Sequence, residues 1–471
     1  MGSMSARDWR FIVFICLLIG APFSKYPSIA IPLFNFPSFR IGAYQLVATI
    51  FVLLCVKPMY HAGATFFNTY HKLTFYSLAV FSALTAISVL WSLYPARSFL
   101  LAVSVLLLVA TVLAGWWFAA NELSNKRRII MVHALLYASI GFGIIALIQL
   151  VIFTLTNSTL GVLCPGCTAE VFGFPRVNGL AAEPQFFANA MIPFVFAALY
   201  SVVKSPNKLG WAALVASVGT IGLTFSRGAY VALAISLLAV AIALYARKLT
   251  SLKTIMISYG VIALSIIGSL VLLVTAATIR YNGTPDITYQ TVDSITEHLT
   301  VGVIDLPDPT PVPQQAPSEA SQDKFVSPGL IEASGNERLS AAELALSAWR
   351  DTPLTFLFGV GAGNLGPYVV ANIEPTAPDN LTVYIYYILL LAELGIIGLT
   401  AIVIVFGSAI KALARYSSLE AVMMNGRLGA FALQFFFFGS YINVVYIWLW
   451  IGIALGITSV ANVPKKAPKK V

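Results

Sequence analysis

The sequence predicts an all-α, polytopic membrane protein with about twelve transmembrane helices and one large extracytoplasmic loop. Three observations predict it. The 471 residues are 59% hydrophobic and 10% charged, where soluble domains carry roughly 25% charged residues, so a water-soluble globular fold is excluded. Apolar runs near the ~20 residues needed to cross a bilayer recur along the chain. Cations gather in alternate connections between those runs, the pattern expected of loops facing the cytoplasm.

The runs fall at roughly 10–32, 41–56, 73–91, 98–120, 129–153, 186–203, 209–224, 228–246, 254–278, 381–410, 428–440 and 443–460. Pro22, Lys25 and Pro27 interrupt the first, which allows a half-buried or re-entrant piece before Arg40. The expected organisation is nine membrane helices over 1–278, an extracytoplasmic loop with an amphipathic helix over 279–380, three more helices over 381–460, and a basic cytoplasmic tail over 461–471.

Placing Arg7 and Arg10 inside and alternating brings 19 of the 28 cations inside, among them Lys57, Lys72, Arg127, Arg128, Arg247, Lys411, Arg415 and Arg427. Both termini then lie in the cytoplasm. The net charge of +9 is thereby a topology signal, and a nucleic-acid partner has no support. From Arg280 to Asn380 thirteen acids face four bases, a net −9 that leaves +18 for the rest and marks this loop as the outer, working side.

The first half of the loop is rich in Pro, Ser, Gln and Asp (Leu306 to Pro317 reads LPDPTPVPQQAP) and predicts an irregular segment. From Glu337 to Arg350 the spacing of Leu339, Ala342, Leu346 and Trp349 predicts an amphipathic helix along the membrane surface, capped by Ser334 or Asn336. Gly359 to Asn364 then gives a tight turn with little side-chain bulk. Cys16 and Cys55 read as packing residues, while Cys164 and Cys167 form an outer C-P-G-C that serves either as a small structural disulfide or in redox chemistry. Met1-Gly2-Ser3 before Met4 reads as an expression scar.

Polar residues collect at the outer ends of the helices. Arg227 joins two apolar runs with almost no loop, either as an arginine snorkelling to headgroups or as a ligand for an anion. Arg338 opens the amphipathic helix and Arg176 precedes the sixth run. Guanidinium planes bind phosphate oxygens in pairs, so Arg176, Arg227 and Arg338 converging would form a diphosphate clamp. Glu183 precedes Pro184, a residue suited to a first helical position. It either caps that helix and pairs with Arg176, or takes a proton from a sugar hydroxyl as general base. Glu393 is an intramembrane acid whose neighbours Ala392, Leu394 and Gly395 suggest close helix packing and a structural role. No metal site is expected: His61, His71 and His133 fall on the cytoplasmic side, and His298, Asp305 and Asp308 lie in the irregular half of the loop.

Arg176-Val-Asn-Gly with Glu183-Pro184, then Leu223-Thr-Phe-Ser-Arg227-Gly, Arg338 with Trp349, Gly359-Val-Gly-Ala-Gly-Asn364, and Leu391-Ala-Glu-Leu-Gly395-Ile-Ile-Gly398 together resemble the superfamily of O-antigen ligases and of O-antigen and exopolysaccharide polymerases. The resemblance implies a membrane glycosyltransferase of the C type, metal independent and inverting, without a cofactor. Its donor and acceptor would be polyprenyl-diphosphate-linked oligosaccharides at the outer face of a bacterial cytoplasmic membrane. Membrane lipids and a chain-length regulator protein are further implied partners. Ligases of this kind place a histidine base before the Gly-x-x-Gly, whereas Tyr384 and Ile385 stand there here. Glu183 is therefore the favoured catalytic base and Asp379 the second candidate. The expected activity is polymerisation of lipid-linked repeat units. The alternatives are transfer to a lipid or protein acceptor, and transport of a polysaccharide or lipid.

Overall fold

The structure is a computed structural model, and it describes residues 5–24, 27–30, 40–156, 170–171, 174–181, 183–280, 329–379, 381, 383–439 and 444–461. The expectations for Cys164 and Cys167, the Pro-rich run, His298, Asp305, Asp308 and the tail beyond 461 lie outside these residues. Fourteen helices carry the described fold: α1 (Ala6–Ile19), α2 (Ala43–Ile87), α3 (Pro95–Asn121), α4 (Asn125–Thr156), α5 (Pro184–Lys204), α6 (Lys208–Thr224), α7 (Arg227–Ala246), α8 (Leu252–Arg280), α9 (Gly329–Arg350), α10 (Pro353–Phe358), α11 (Leu365–Asn372), α12 (Tyr386–Ala414), α13 (Leu419–Gln434) and α14 (Val445–Ala461). Two short antiparallel pairs join them, Ser28–Ala30 with Arg40–Gly42 and Glu170–Val171 with Phe174–Pro175.

The protein is a multi-pass membrane protein. Seven of its described helices are long and apolar enough to cross a bilayer, against about twelve runs read from the sequence. Chain geometry accounts for the difference. The 45 residues of α2 contain non-helical backbone at Gly63 and His71; a straight helix of that length would span about 68 Å, more than twice a hydrocarbon core of ~30 Å. The breaks divide it into the two runs expected at 41–56 and 73–91. α1, α6, α13 and α14 are apolar but have 14 to 17 residues each. The expected run at 428–440 begins instead at Leu419, and Arg427, assigned by charge to a cytoplasmic loop, is buried within α13 against the Trp450 ring at 3.7 Å.

α5 is the central strut, with 89% of its apolar window buried, whereas 28% of that of α8 is buried. The exposed side chains of α8 are themselves apolar, including Leu264, Ile267 and Val271, as lipid contact requires. α14 seats on α3 through small residues: a Cβ on Gly452 would lie 2.3 Å from the Val112 carbonyl oxygen and one on Gly456 2.5 Å from that of Trp116. Trp116 of α3 donates to Ser459 Oγ of α14 at 2.9 Å across that seam, while buried Trp448 stacks on Phe81 of α2.

Polar contacts sort to the two ends of the bundle. At one end, buried Glu122 joins Arg10 (Nη2 to Oε1, 2.6 Å) and Arg127 (3.7 Å), Arg128 meets Glu420 at 3.1 Å, and Arg247 donates to the carbonyls of Ala414 and Tyr416. Cations assigned to one side by charge thus share one end. At the other end α9 to α11 lie over the helix termini.

Candidate active site

Four separate pieces of chain build the polar centre at that second end. The first is the segment before α5. Gln149 of α4 holds it: Oε1 accepts the N–H groups of Asn178 (3.0 Å) and Gly179 (2.8 Å), and Nε2 donates to Asn178 Oδ1 (2.6 Å). Val177 N–H donates to Leu223 O, and Arg176 Nε to Thr224 O at 3.1 Å, which ties the same segment to the end of α6. Buried polar atoms are therefore satisfied along it, and Arg176 is left with little freedom.

The second piece is the link from α6 to α7. Phe225 adopts a left-handed conformation (φ 52) at the end of α6 and is buried, an unusual state for a bulky residue. It turns the chain within two residues, so that Arg227 opens α7. A cation in a first helical turn opposes the helix dipole. Helix stability is thus no reason to place one there, whereas anion binding is.

Glu183 is the third piece. It occupies the N-cap position of α5, where its carbonyl accepts from the N–H groups of Phe186 and Phe187 while its side chain makes no capping hydrogen bond. Between the two readings, capping by the carboxylate is the one the geometry disfavours. The carboxylate instead exerts an attractive field on Arg176.

Arg338 of α9 is the fourth, its guanidinium 4.6 Å from the centre of the Tyr384 ring. α9 starts at Gly329, well before the expected caps at Ser334 and Asn336. Its buried face is Ala341, Ala342, Ala345 and Ala348, while Leu339 is exposed. The helix is therefore docked through a row of small side chains, partly onto Ala392 of α12, and not through the Leu339 and Trp349 face predicted to meet the membrane. Small side chains let the two helices approach closely, which fixes the height of Arg338.

These groups feel one another. Burial pushes the Arg176 guanidinium down to about 10; Tyr230 resists that shift, Arg338 and then Arg227 add to it, and Glu183 opposes it. Arg227 and Arg338 repel each other as well. Arg176 thus lies in the fields of Arg338, Arg227 and Glu183, and the four charges sum to +2. Phe437 walls one side, since a Cβ on Gly228 would lie 2.5 Å from its own Cβ, and its carbonyl accepts a hydrogen bond from Gln185. Asp379 stands apart: its side chain is exposed between α11 and α12, and its backbone packs on Gly366. Among the described residues no three His, Cys, Asp or Glu side chains gather as a metal site.

The glycine-rich turn and the acid of α12 form the mount for α9. Gly359 and Gly395 both have positive φ (74 and 65), and a Cβ on either would lie 2.2 Å from backbone across the joint, at Glu393 C or Leu357 O. No other residue type fits either position. Val360 and Gly361 N–H donate to the carbonyls of Ala392 and Glu393, and the Glu393 carboxyl lies beside the backbone N–H groups of Gly363 and Leu365 with Arg97 nearby. Asn364 completes the joint, donating to Ser98 Oγ (2.6 Å) and accepting from Tyr94 N–H (2.8 Å). The geometry supports a structural role for Glu393.

Residues 212–403 match the O-antigen ligase family. The superfamily resemblance read from the motifs is thereby supported over that stretch of the chain. The match includes Arg227, Arg338, the glycine-rich turn and the Glu393 to Gly398 stretch, and it excludes Arg176 and Glu183. No curated protein matches the chain closely enough to add a relative. Sequence reasoning missed Gln149, Tyr230, Gln185 and the partnership of Arg338 with Tyr384. The signal for Tyr384 was present, since it occupies the place where ligases carry their histidine. Gln149 gave none, because one Gln in an apolar run is uninformative until the chain folds.

Proposed function

We propose that the protein polymerises polyprenyl-diphosphate-linked oligosaccharide repeat units at the outer face of a bacterial cytoplasmic membrane, as a metal-independent, inverting glycosyltransferase of the C type. The observation that carries this reading is the convergence of Arg176, Arg227 and Arg338 with Glu183 from four separate elements. In this reading the three arginines bind the donor diphosphate and stabilise the charge that grows on it as leaving group. A hydroxyl of the acceptor repeat unit attacks the anomeric carbon, its proton passes to Glu183, and the carbon–oxygen bond to the diphosphate breaks. Asp379 is the alternative base; its exposed position would require α11 and the following segment to move.

Charge supports the proposed membrane sidedness. The cations around Glu122 lie at the end opposite this site, as expected of a cytoplasmic end, and this favours both termini inside and the arginine centre outside. A chain-length regulator remains a proposed partner.

A ligase-type transfer to a lipid or protein acceptor is the second reading, favoured by the family that residues 212–403 match. Against it stands Tyr384, engaged beneath Arg338, at the place of the ligase histidine. Purified protein in liposomes with lipid-linked repeat units and no ion gradient tests both. Ladders of longer lipid-linked chains, lost in Arg227→Ala, support polymerisation. Product only when a foreign lipid or protein acceptor is added supports ligation. No glycan transfer under either condition overturns the enzymatic reading and leaves transport.

A further inference from the structure

A second polar centre lies at the opposite end of α5. Between α4, α5 and α13 the bundle leaves a cavity of about 580 Å³, within the ~300–1,000 Å³ that small-molecule sites occupy. It opens beside Lys204, the last residue of α5, whereas Glu183 precedes the first; 21 residues at ~1.5 Å each put about 30 Å between the two centres. This cavity is therefore no part of the glycan-transfer site.

Its walls are those of an amphiphile site. Val132, Leu136 and Met423 supply an apolar lining, and Arg128, Lys204 and Arg427 supply three cations. Glu420 is the sole acid of the lining, and Arg128 already engages it at 3.1 Å, so the cavity keeps a net charge of +2. Arg427 is the decisive residue. It is buried, its Nη2 donates to Pro193 O at 3.3 Å, and its Nε has no hydrogen-bond partner among the described residues. A buried guanidinium in a membrane helix is costly and persists where something compensates it. The Trp450 ring takes one face of it at 3.7 Å, and the group also lines the cavity, where an anion would complete its hydrogen bonds.

We propose that this cavity binds the phosphate headgroup and first chain segment of an anionic membrane lipid, with Arg427 and Lys204 on the phosphate and the chain along Val132 and Leu136. A glycerophospholipid and a polyprenyl phosphate share that chemistry. Native mass spectrometry of the full-length protein after exchange into defined lipids tests the site. Wild type should retain phosphatidylglycerol at least tenfold more strongly than phosphatidylethanolamine. Leu136→Trp, which fills the slot, and Arg427→Met, which removes the charge at similar volume, should each abolish that preference. Lys204→Ala should weaken it several-fold, and provides the test if Arg427→Met does not fold. Displacement of phosphatidylglycerol by equimolar polyprenyl monophosphate would support the site and name the polyprenyl lipid as its preferred occupant, whereas resistance would support the glycerophospholipid. Equal retention of diacylglycerol or phosphatidylethanolamine by wild type, or unchanged phosphatidylglycerol retention in the filled variant, overturns the proposal.

Discussion

Replacing Arg338 with Met separates function from folding at the proposed clamp. The guanidinium is partly exposed, stacks over Tyr384 at 4.6 Å and repels Arg176 and Arg227. Losing the stack costs roughly 0.5–1 kcal/mol at an exposed site. Relief of the repulsion from Arg176 and Arg227 works the other way, and because the group is partly exposed and screened it is worth about 1 kcal/mol. The two effects nearly cancel, so the melting temperature of the empty protein should move by no more than a few degrees. Activity should not be spared. A charge-assisted contact to the diphosphate is worth about 1.5–3 kcal/mol, which at 1.36 kcal/mol per decade predicts a fall in kcat/KM of roughly 10- to 150-fold. The assay is chain growth on lipid-linked repeat units in liposomes, run beside a thermal melt in detergent. Tyr384→Phe should retain most activity and Tyr384→Leu should lose a further two- to fivefold, because the ring, and not the hydroxyl, meets the guanidinium. Arg338→Met with activity within twofold of wild type would refute the clamp, and a large loss of stability would show that Arg338 serves packing.

Other predictions follow from the same centre. Glu183→Gln should lower the rate by roughly 10² to 10⁴; an undiminished rate would move the base elsewhere, with Asp379→Asn the next variant to assay. The Arg176 guanidinium is buried but stays charged, so Arg176→Gln should weaken inorganic diphosphate binding by roughly tenfold or more in isothermal titration, and an unchanged affinity would remove it from the clamp. Gln149→Leu leaves the N–H groups of Asn178 and Gly179 and the Asn178 side-chain oxygen without their partner, each costing about 1–3 kcal/mol if left buried and unpaired. It should lower both kcat and diphosphate affinity, because Arg176 and Glu183 flank the segment it frees. Gly395→Ala forces a Cβ onto the Leu357 carbonyl at a positive φ and should cost several kcal/mol, read as a melt lowered by many degrees or as loss of folded protein.

Much of this was legible in the chain itself. Composition and the length of the apolar runs determine a multi-pass helical membrane protein, because a bilayer tolerates few alternatives to a hydrogen-bonded apolar helix. The alternation of cations assigned Arg10, Arg127, Arg128 and Arg247 to one side, and they meet at one end around Glu122 and the loop at Tyr416. Arg227 announced itself because a guanidinium between two apolar runs has few places to go. Arg427 was misplaced for the complementary reason: charge counting assumes that a cation seeks water, whereas Pro193, Trp450 and a cavity give this one partners inside the bundle.

Only the tertiary structure shows that the grouped polar residues share one field. Arg176 and Arg338 are far apart in sequence, and nothing local relates them; the Gly359 and Gly395 joint and the alanine face of α9 bring them into one field. Periodicity laid that helix along the membrane surface by its Leu339 to Trp349 stripe, because the largest apolar groups promise the most surface removed from water. In a membrane-bound bundle that incentive is weak, since lipid is as apolar as a core, and close packing of small residues wins. The sequence by itself thus determined what the chain is made to cross, and packing determined where its charges converge.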